Sequence, residues 1–143
     1  MKILEFEVPG NPVGKGRPRF VRATGRTFTP EKTARYENLV ALAFRQAYPD
    51  WEPTEEQVEV IMNAYFEIPK SWSKKKQEQA RSGILRPMKK PDTDNIAKMK
   101  DALNALAWHD DAQVVEETIK KFYSDEPHLY VMITVGTNEE EEE

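Results

Sequence analysis

The sequence predicts an α/β (α+β) fold, a small sheet with two main helices and one short helix. Three observations carry that expectation. Apolar residues alternate with polar ones in two separate stretches, as a half-buried strand requires, and two further strands close the chain. Two other stretches repeat apolar residues at helical spacing, and a third, lysine-rich stretch opens with serine caps. Proline and glycine cluster between these segments.

The first strand covers residues 2–8, where Ile3/Leu4, Phe6 and Val8 are separated by polar positions. The following PGNPVGKGRPRF is too rich in Gly and Pro for a helix. It predicts a turn, a short edge strand at Arg17–Arg22 and a second turn at Thr24-Gly25. Thr29-Pro30 has the chemistry of an N-cap and first turn. Tyr36, Leu39, Val40, Ala43, Phe44 and Ala47 then predict a helix over 30–48, ended by Pro49 and Pro53. Val58, Val60, Met62, Ala64 and Phe66 alternate through a strand at 57–68. Ser71 or Ser73 caps a short helix stopping near Gly83. A loop to Pro91 leads into a helix at 93–107 with Ile96, Met99, Leu103 and Leu106 as its stripe. Strands near 113–124 and 128–135 close the domain, which occupies residues 1–137. Residues 138–143 form an acidic tail expected to be disordered.

Composition excludes several function classes. The chain of 143 residues has no cysteine, so it has no disulfide, thiolate metal site or cysteine nucleophile. With histidines only at 109 and 128, a bound metal should be a hard cation on carboxylate oxygens, Mg²⁺ or Mn²⁺. No stretch suits a membrane span, and MKILEFEV has acids inside its apolar run, unlike a signal or transit peptide. A cytoplasmic location follows as the expectation.

The net charge of −4 becomes +1 once the five glutamates at 139–143 are set aside. Between Asn11 and Arg35, seven Lys/Arg stand against Glu31; from Lys70 to Lys100, ten stand against Glu78, Asp92 and Asp94. Two basic blocks suggest a polyanion-binding face. Lys15, Arg17 and Arg19 could lie along a phosphate track, extended by Lys74, Lys75, Lys76, Lys89 and Lys90. Phe20, Trp72 and Trp108 read as packing or dimer residues.

In KKPDTDNIAK, Asp92 and Asp94 stand at the start of a helix. One could cap it and the other could complement its dipole. Yet at 100° per residue Asp94 and Lys98 fall opposite the Ile96/Met99/Leu103 stripe. Asp110-Asp111 supplies a second acidic pair after the helix. Clustered carboxylates beside lysines suit metal-dependent phosphodiester hydrolysis, in which a divalent ion activates water and neutralises transition-state charge. An EF-hand loop is excluded, because Ile96 and Ala97 occupy its fifth and sixth positions; P-loop and Ser-His-Asp signatures are missing as well.

PDTDN…K followed by DALNALAWHDDAQV, with VPGNPVGKGRPRF and GRTFTPEKTARYE ahead of them, resembles the RusA family of Holliday junction resolvases. The resemblance runs from about Val8 to Val135. It implies a RusA-like mixed α/β subunit in an intertwined homodimer that nicks paired strands of a four-way DNA junction with Mg²⁺. It further implies Asp92, Asp94 and Asp111 as metal ligands, Asp110 as a neighbour of undecided role, and Lys98 near the scissile phosphate. One departure stands out. Lys98 and the DALN segment lie one residue closer than in the family's usual pattern, which leaves Lys98 and Lys100 both open for the phosphate. Other readings of the same residues are a non-catalytic nucleic-acid-binding module and a Mg²⁺ phosphohydrolase acting on flaps or nucleotides.

Overall fold

The computed structural model describes residues 1–16, 19–28 and 30–137, with Arg19 and Phe28 described by backbone alone. The expectations placed on Arg17, on the Arg19 side chain, on Thr29 as a cap and on the 138–143 tail lie outside the described residues. In chain order the elements are β1 (Lys2–Pro9), β2 (Arg19–Val21), β3 (Arg26–Phe28), α1 (Glu31–Ala47), β4 (Val58–Glu67), α2 (Lys74–Arg81), α3 (Thr93–Ala97), β5 (Val114–Ser124) and β6 (His128–Val135).

Four strands form one mixed sheet in the order β1-β6-β4-β5. β6 runs antiparallel to both β1 and β4, while β5 runs parallel to β4. Parallel neighbours need a crossover connection, and α2 and α3 lie in the one between β4 and β5. Register places Phe6, Val131, Met62 and Ile119 in one row across the four strands. Alternation therefore gives the sheet one apolar face, with Leu4, Phe6, Val8, every second residue from Val58 to Phe66, and Leu129, Val131, Ile133 and Val135 all buried. The opposite face carries Glu5, Glu7, Ile61, Tyr65 and Met132 and stays partly open. The expected edge strand near Arg17–Arg22 is β2, which pairs with β3 in a ribbon of its own.

The buried positions of α1 are Thr33, Tyr36, Val40 and Phe44, and Phe44 meets Phe6 edge-to-face at 5.6 Å. Leu39, expected in that stripe, is 47% exposed. It lies a quarter turn or so off the 33-36-40-44 line, so the apolar face is narrower than the sequence suggested. Ser73, not Ser71, caps α2, its hydroxyl accepting from the Lys76 amide at 3.2 Å.

The second main helix is corrected. Instead of one α-helix over 93–107, α3 ends at Ala97 and a 3₁₀ segment, Lys98–Leu103, continues it. Asn104 is then extended and Ala105 adopts a left-handed φ of 67°. Such a conformation disfavours a residue with a Cβ, and something must compensate. Trp108 is the largest fully buried side chain, and Ala107 and Leu103 are buried beside it. Truncating a buried tryptophan costs about 3–5 kcal/mol, enough to outweigh one strained backbone position and the helix preference of KMKDALNAL. The 3₁₀ segment also packs against α1, so the turn at 104–108 fixes where β5 begins.

Candidate active site

The approach to Asp92 is held from two sides. On one, the Arg86 Nε–H donates to the Lys121 carbonyl (2.8 Å) and the guanidinium lies over the Phe122 ring. In return the Lys121 ammonium donates to the Lys89 carbonyl at 2.6 Å. Burial pushes the Lys121 ammonium below the ordinary lysine range, partly opposed by the nearby negative charge of Asp92. On the other side the N-terminal loop crosses the start of α3. The Lys15 amide donates to the Asn95 carbonyl at 2.8 Å. A Cβ at Gly14 would lie 2.5 Å from Pro91 Cβ and 3.0 Å from Asn95 Cβ. Only glycine permits that approach.

Asp92 occupies the N-cap position of α3 with extended backbone angles (φ −70°, ψ 157°), and its own carbonyl starts the helix by accepting from Asn95 and Ile96. Its carboxylate makes no cap hydrogen bond. Asp94 lies in the first turn, and both acids are exposed with no ion-pair partner among the described residues. Lys98, one turn beyond Asp94, is exposed and equally unpaired. Lys100 is engaged: its ammonium meets Glu117 Oε1 at 2.6 Å.

The second acidic pair divides its work. Asp110 caps the short 3₁₀ turn Asp111–Gln113, accepting from the Ala112 amide at 2.9 Å. Gln113 completes the box by accepting from the Asp110 amide and ties the turn to the Thr54 and Glu56 carbonyls. Asp111 uses one oxygen, Oδ1, to accept from the Trp108 indole N–H at 3.0 Å. Its other oxygen has no hydrogen-bond partner among the described residues. The burial of Trp108 thereby also orients Asp111.

The acids stand in two groups. Asp92 lines a hollow with Gly14, Lys15, Lys32, Lys90 and Asn95, whereas Asp111 lines another with Lys100, Glu116 and Glu117. Among the described residues no three carboxylates or histidines are close enough to hold a cation as they stand. In kind, the unspent oxygens of Asp92, Asp94 and Asp111 fit a hard cation such as Mg²⁺ or Mn²⁺.

Of the basic residues expected to meet DNA, Lys74, Lys75, Lys76, Lys89 and Lys90 are exposed, Lys76 over the Trp72 ring at 4.1 Å. Lys15 is engaged within the chain. Its ammonium is bonded to Asp101 Oδ2 at 2.9 Å and lies 3.4 Å from Glu37 Oε1, and these partners raise its pKa, the Asp101 hydrogen bond most of all. Compensated by two carboxylates, it braces the loop. Trp72 packs edge-on against Tyr123 and Trp108 is buried, so both are packing residues; Phe20 is exposed on the ribbon. Sequence reasoning passed over Glu117 and Lys121. Their signal lay in the register, since β5 pairing puts both on the inward row with Ile119, where a charge needs a partner.

Two comparisons bear on this geometry. A protein-family model described as "Endodeoxyribonuclease RusA" matches residues 9–134. The chain is also similar to a protein of Bacillus subtilis (strain 168) named "Uncharacterized protein YqaN", 44% identical over 138 residues that cover 93% of this chain and 96% of the relative.

Proposed function

We propose that this chain, which belongs to the RusA endodeoxyribonuclease family, is a divalent-cation-dependent endonuclease that nicks four-way DNA junctions as a homodimer. Membership supports a nuclease acting on DNA. The junction preference, the cation and the dimer are the proposal. The observation that carries it is the unspent carboxylate of Asp92, which holds the capping position without capping.

An acid kept out of every local hydrogen bond, beside a second free acid and a free lysine, serves poorly as a fold element and well as a ligand. Asp92 and Asp94 from one group and the free oxygen of Asp111 from the other would hold Mg²⁺ or Mn²⁺ only where the two groups, apart as they stand, draw together on the ion. When bound, that ion lowers the pKa of a coordinated water and neutralises charge at the phosphate. The chain's own residues supply the rest. The indole N–H of Trp108 keeps Asp111 in one orientation. Lys121 and Arg86 steady the segment that presents Asp92. Lys98, unpaired one turn beyond Asp94, offsets negative charge developing on the phosphate oxygens. Two-fold symmetry suits a four-way junction, which offers two equivalent strands.

The test is cleavage of a synthetic four-way junction with Mg²⁺, compared with a flap and a linear duplex in the same salt. Asp94→Asn is expected to abolish cutting while junction binding survives. Undiminished cutting by both Asp92→Asn and Asp94→Asn removes the catalytic assignment. Equal rates on all three substrates remove the junction preference. Light scattering that gives the mass of a single chain removes the dimer.

A further inference from the structure

Four lysines surround one depression next to Asp92. Lys32 comes from the first turn of α1, Lys70 from the loop after β4, and Lys89 and Lys90 from the loop before α3. None has a carboxylate within ion-pair distance among the described residues. Among the described residues Glu67 is the only acid lining that depression. Its floor is Pro12, Phe66 and Ile68, all buried, which leaves the cationic rim as the accessible surface. The depression continues into the hollow that holds Asp92, for Pro12, Lys32, Lys90 and Pro91 line both.

Like charges gathered from three segments repel one another, and such a cluster is tolerated most easily where an anion visits it. The depression is open, adjoins the hollow of Asp92 and is lined by flexible ammonium groups, which act on phosphates as point charges without reading bases. We propose that Lys32 and Lys70, with Lys89 and Lys90, form a phosphate track that seats the DNA strand on the approach to Asp92. This rests on the nuclease reading above and deepens it. The strand enters between the start of α1 and the β4–α2 loop. Lys15, already neutralised by Asp101 and Glu37, holds the wall of this track and adds no contact to it.

Counterion release makes the track measurable. Each phosphate contact adds about 0.9 to the slope of log affinity against log salt on duplex DNA. Fluorescence anisotropy of a labelled four-way junction, in EDTA and between about 50 and 200 mM salt, compares the full chain with Lys32→Ala/Lys70→Ala. A matched control, Lys2→Ala/Arg45→Ala, removes two charges that do not line the depression, one at the start of β1 and one in the last turn of α1. The track predicts a slope shallower by about 2 for the first variant and no change for the control. Melting temperatures are expected to hold, since the Lys32 and Lys70 ammonium groups have no ion-pair partner among the described residues. An unchanged slope in the first variant, or an equal change in the control, overturns the track even if the chain cuts junctions. Cutting by Asp94→Asn strikes only the catalytic assignment and leaves the slope result standing.

Discussion

Asp92→Ala separates a structural acid from a functional one. If Asp92 were an ordinary N-cap, its removal would cost about 1 kcal/mol, within a usual span of about 0.5–2 kcal/mol. Here the carboxylate makes no cap hydrogen bond, so that contribution is missing. What remains is its charge near the positive end of a helix, worth about 0.3–1 kcal/mol at low salt and less when screened, together with a weak attraction to the Lys121 ammonium. α3 has only five residues, which puts the effect at the low end. Removing one of two nearby like charges, Asp92 and Asp94, works in the opposite direction. The sum is a change within about 0.5 kcal/mol, or about 2 °C in melting temperature for a chain of this size. The chain contains its own positive control. Ser73 does cap α2, accepting from the Lys76 amide at 3.2 Å, so Ser73→Ala should lose about 1 kcal/mol, near 4 °C. Melting both variants by circular dichroism in EDTA, with junction cleavage in Mg²⁺ alongside, is the assay. Asp92→Ala is expected to melt near the parent and to be inactive; Ser73→Ala should show the reverse. A loss in Asp92→Ala as large as that in Ser73→Ala would refute the claim that this carboxylate is held in reserve.

The remaining predictions concern what holds the site in place. Gly14→Ala drives a methyl into Pro91 and Asn95 and should cost about 1–3 kcal/mol; a denaturation midpoint equal to the parent's would show that the loop does not brace α3. Trp108→Phe keeps most of the buried apolar volume but removes the donor to Asp111, so cleavage should fall further than the stability loss explains, with a raised Mg²⁺ requirement in a metal titration. Lys15→Met leaves Asp101 and Glu37 without their shared cation, and urea unfolding should show a clear loss at neutral pH. That part of the stability belongs to an ammonium whose folded pKa is raised. In the parent it is fully present below the unfolded lysine value of about 10.4 and fades as pH climbs through the higher folded one, so the difference between parent and variant should shrink only in strong alkali.

Much of the fold was legible because burial followed simple periods. Every second residue from Val58 to Phe66 is buried, and a strand with that pattern has one arrangement that hides it. α1 was legible for the same reason, although Leu39 showed that an apolar residue beside a stripe need not join it. The helix at 93–107 was not legible. Ile96, Met99 and Leu103 fit α spacing, and nothing local announces that Ala105 turns left-handed; burial of Trp108 decides it. The acids posed a different problem. A capping aspartate and an uncommitted one look identical in sequence, so only the side-chain geometry could divide Asp110 from Asp111, or show Asp92 idle. The cations were harder still. Lys15 finds its partner 86 residues away at Asp101, while Lys32 and Lys70 lay outside any motif and meet Lys89 and Lys90 only through the fold.

The choice between Lys98 and Lys100 turns on the same 3₁₀ segment. An α-helix advances about 100° per residue, whereas a 3₁₀ helix advances about 120°. Over Lys98–Leu103 that winding divides the two lysines. At three residues per turn, Lys100 lines up with buried Leu103 and is directed towards β5, where it meets Glu117. Lys98 lines up with Asp101 and has no ion-pair partner among the described residues. The 3₁₀ winding thus ties Lys100 to Glu117, and the phosphate contact proposed above falls to Lys98.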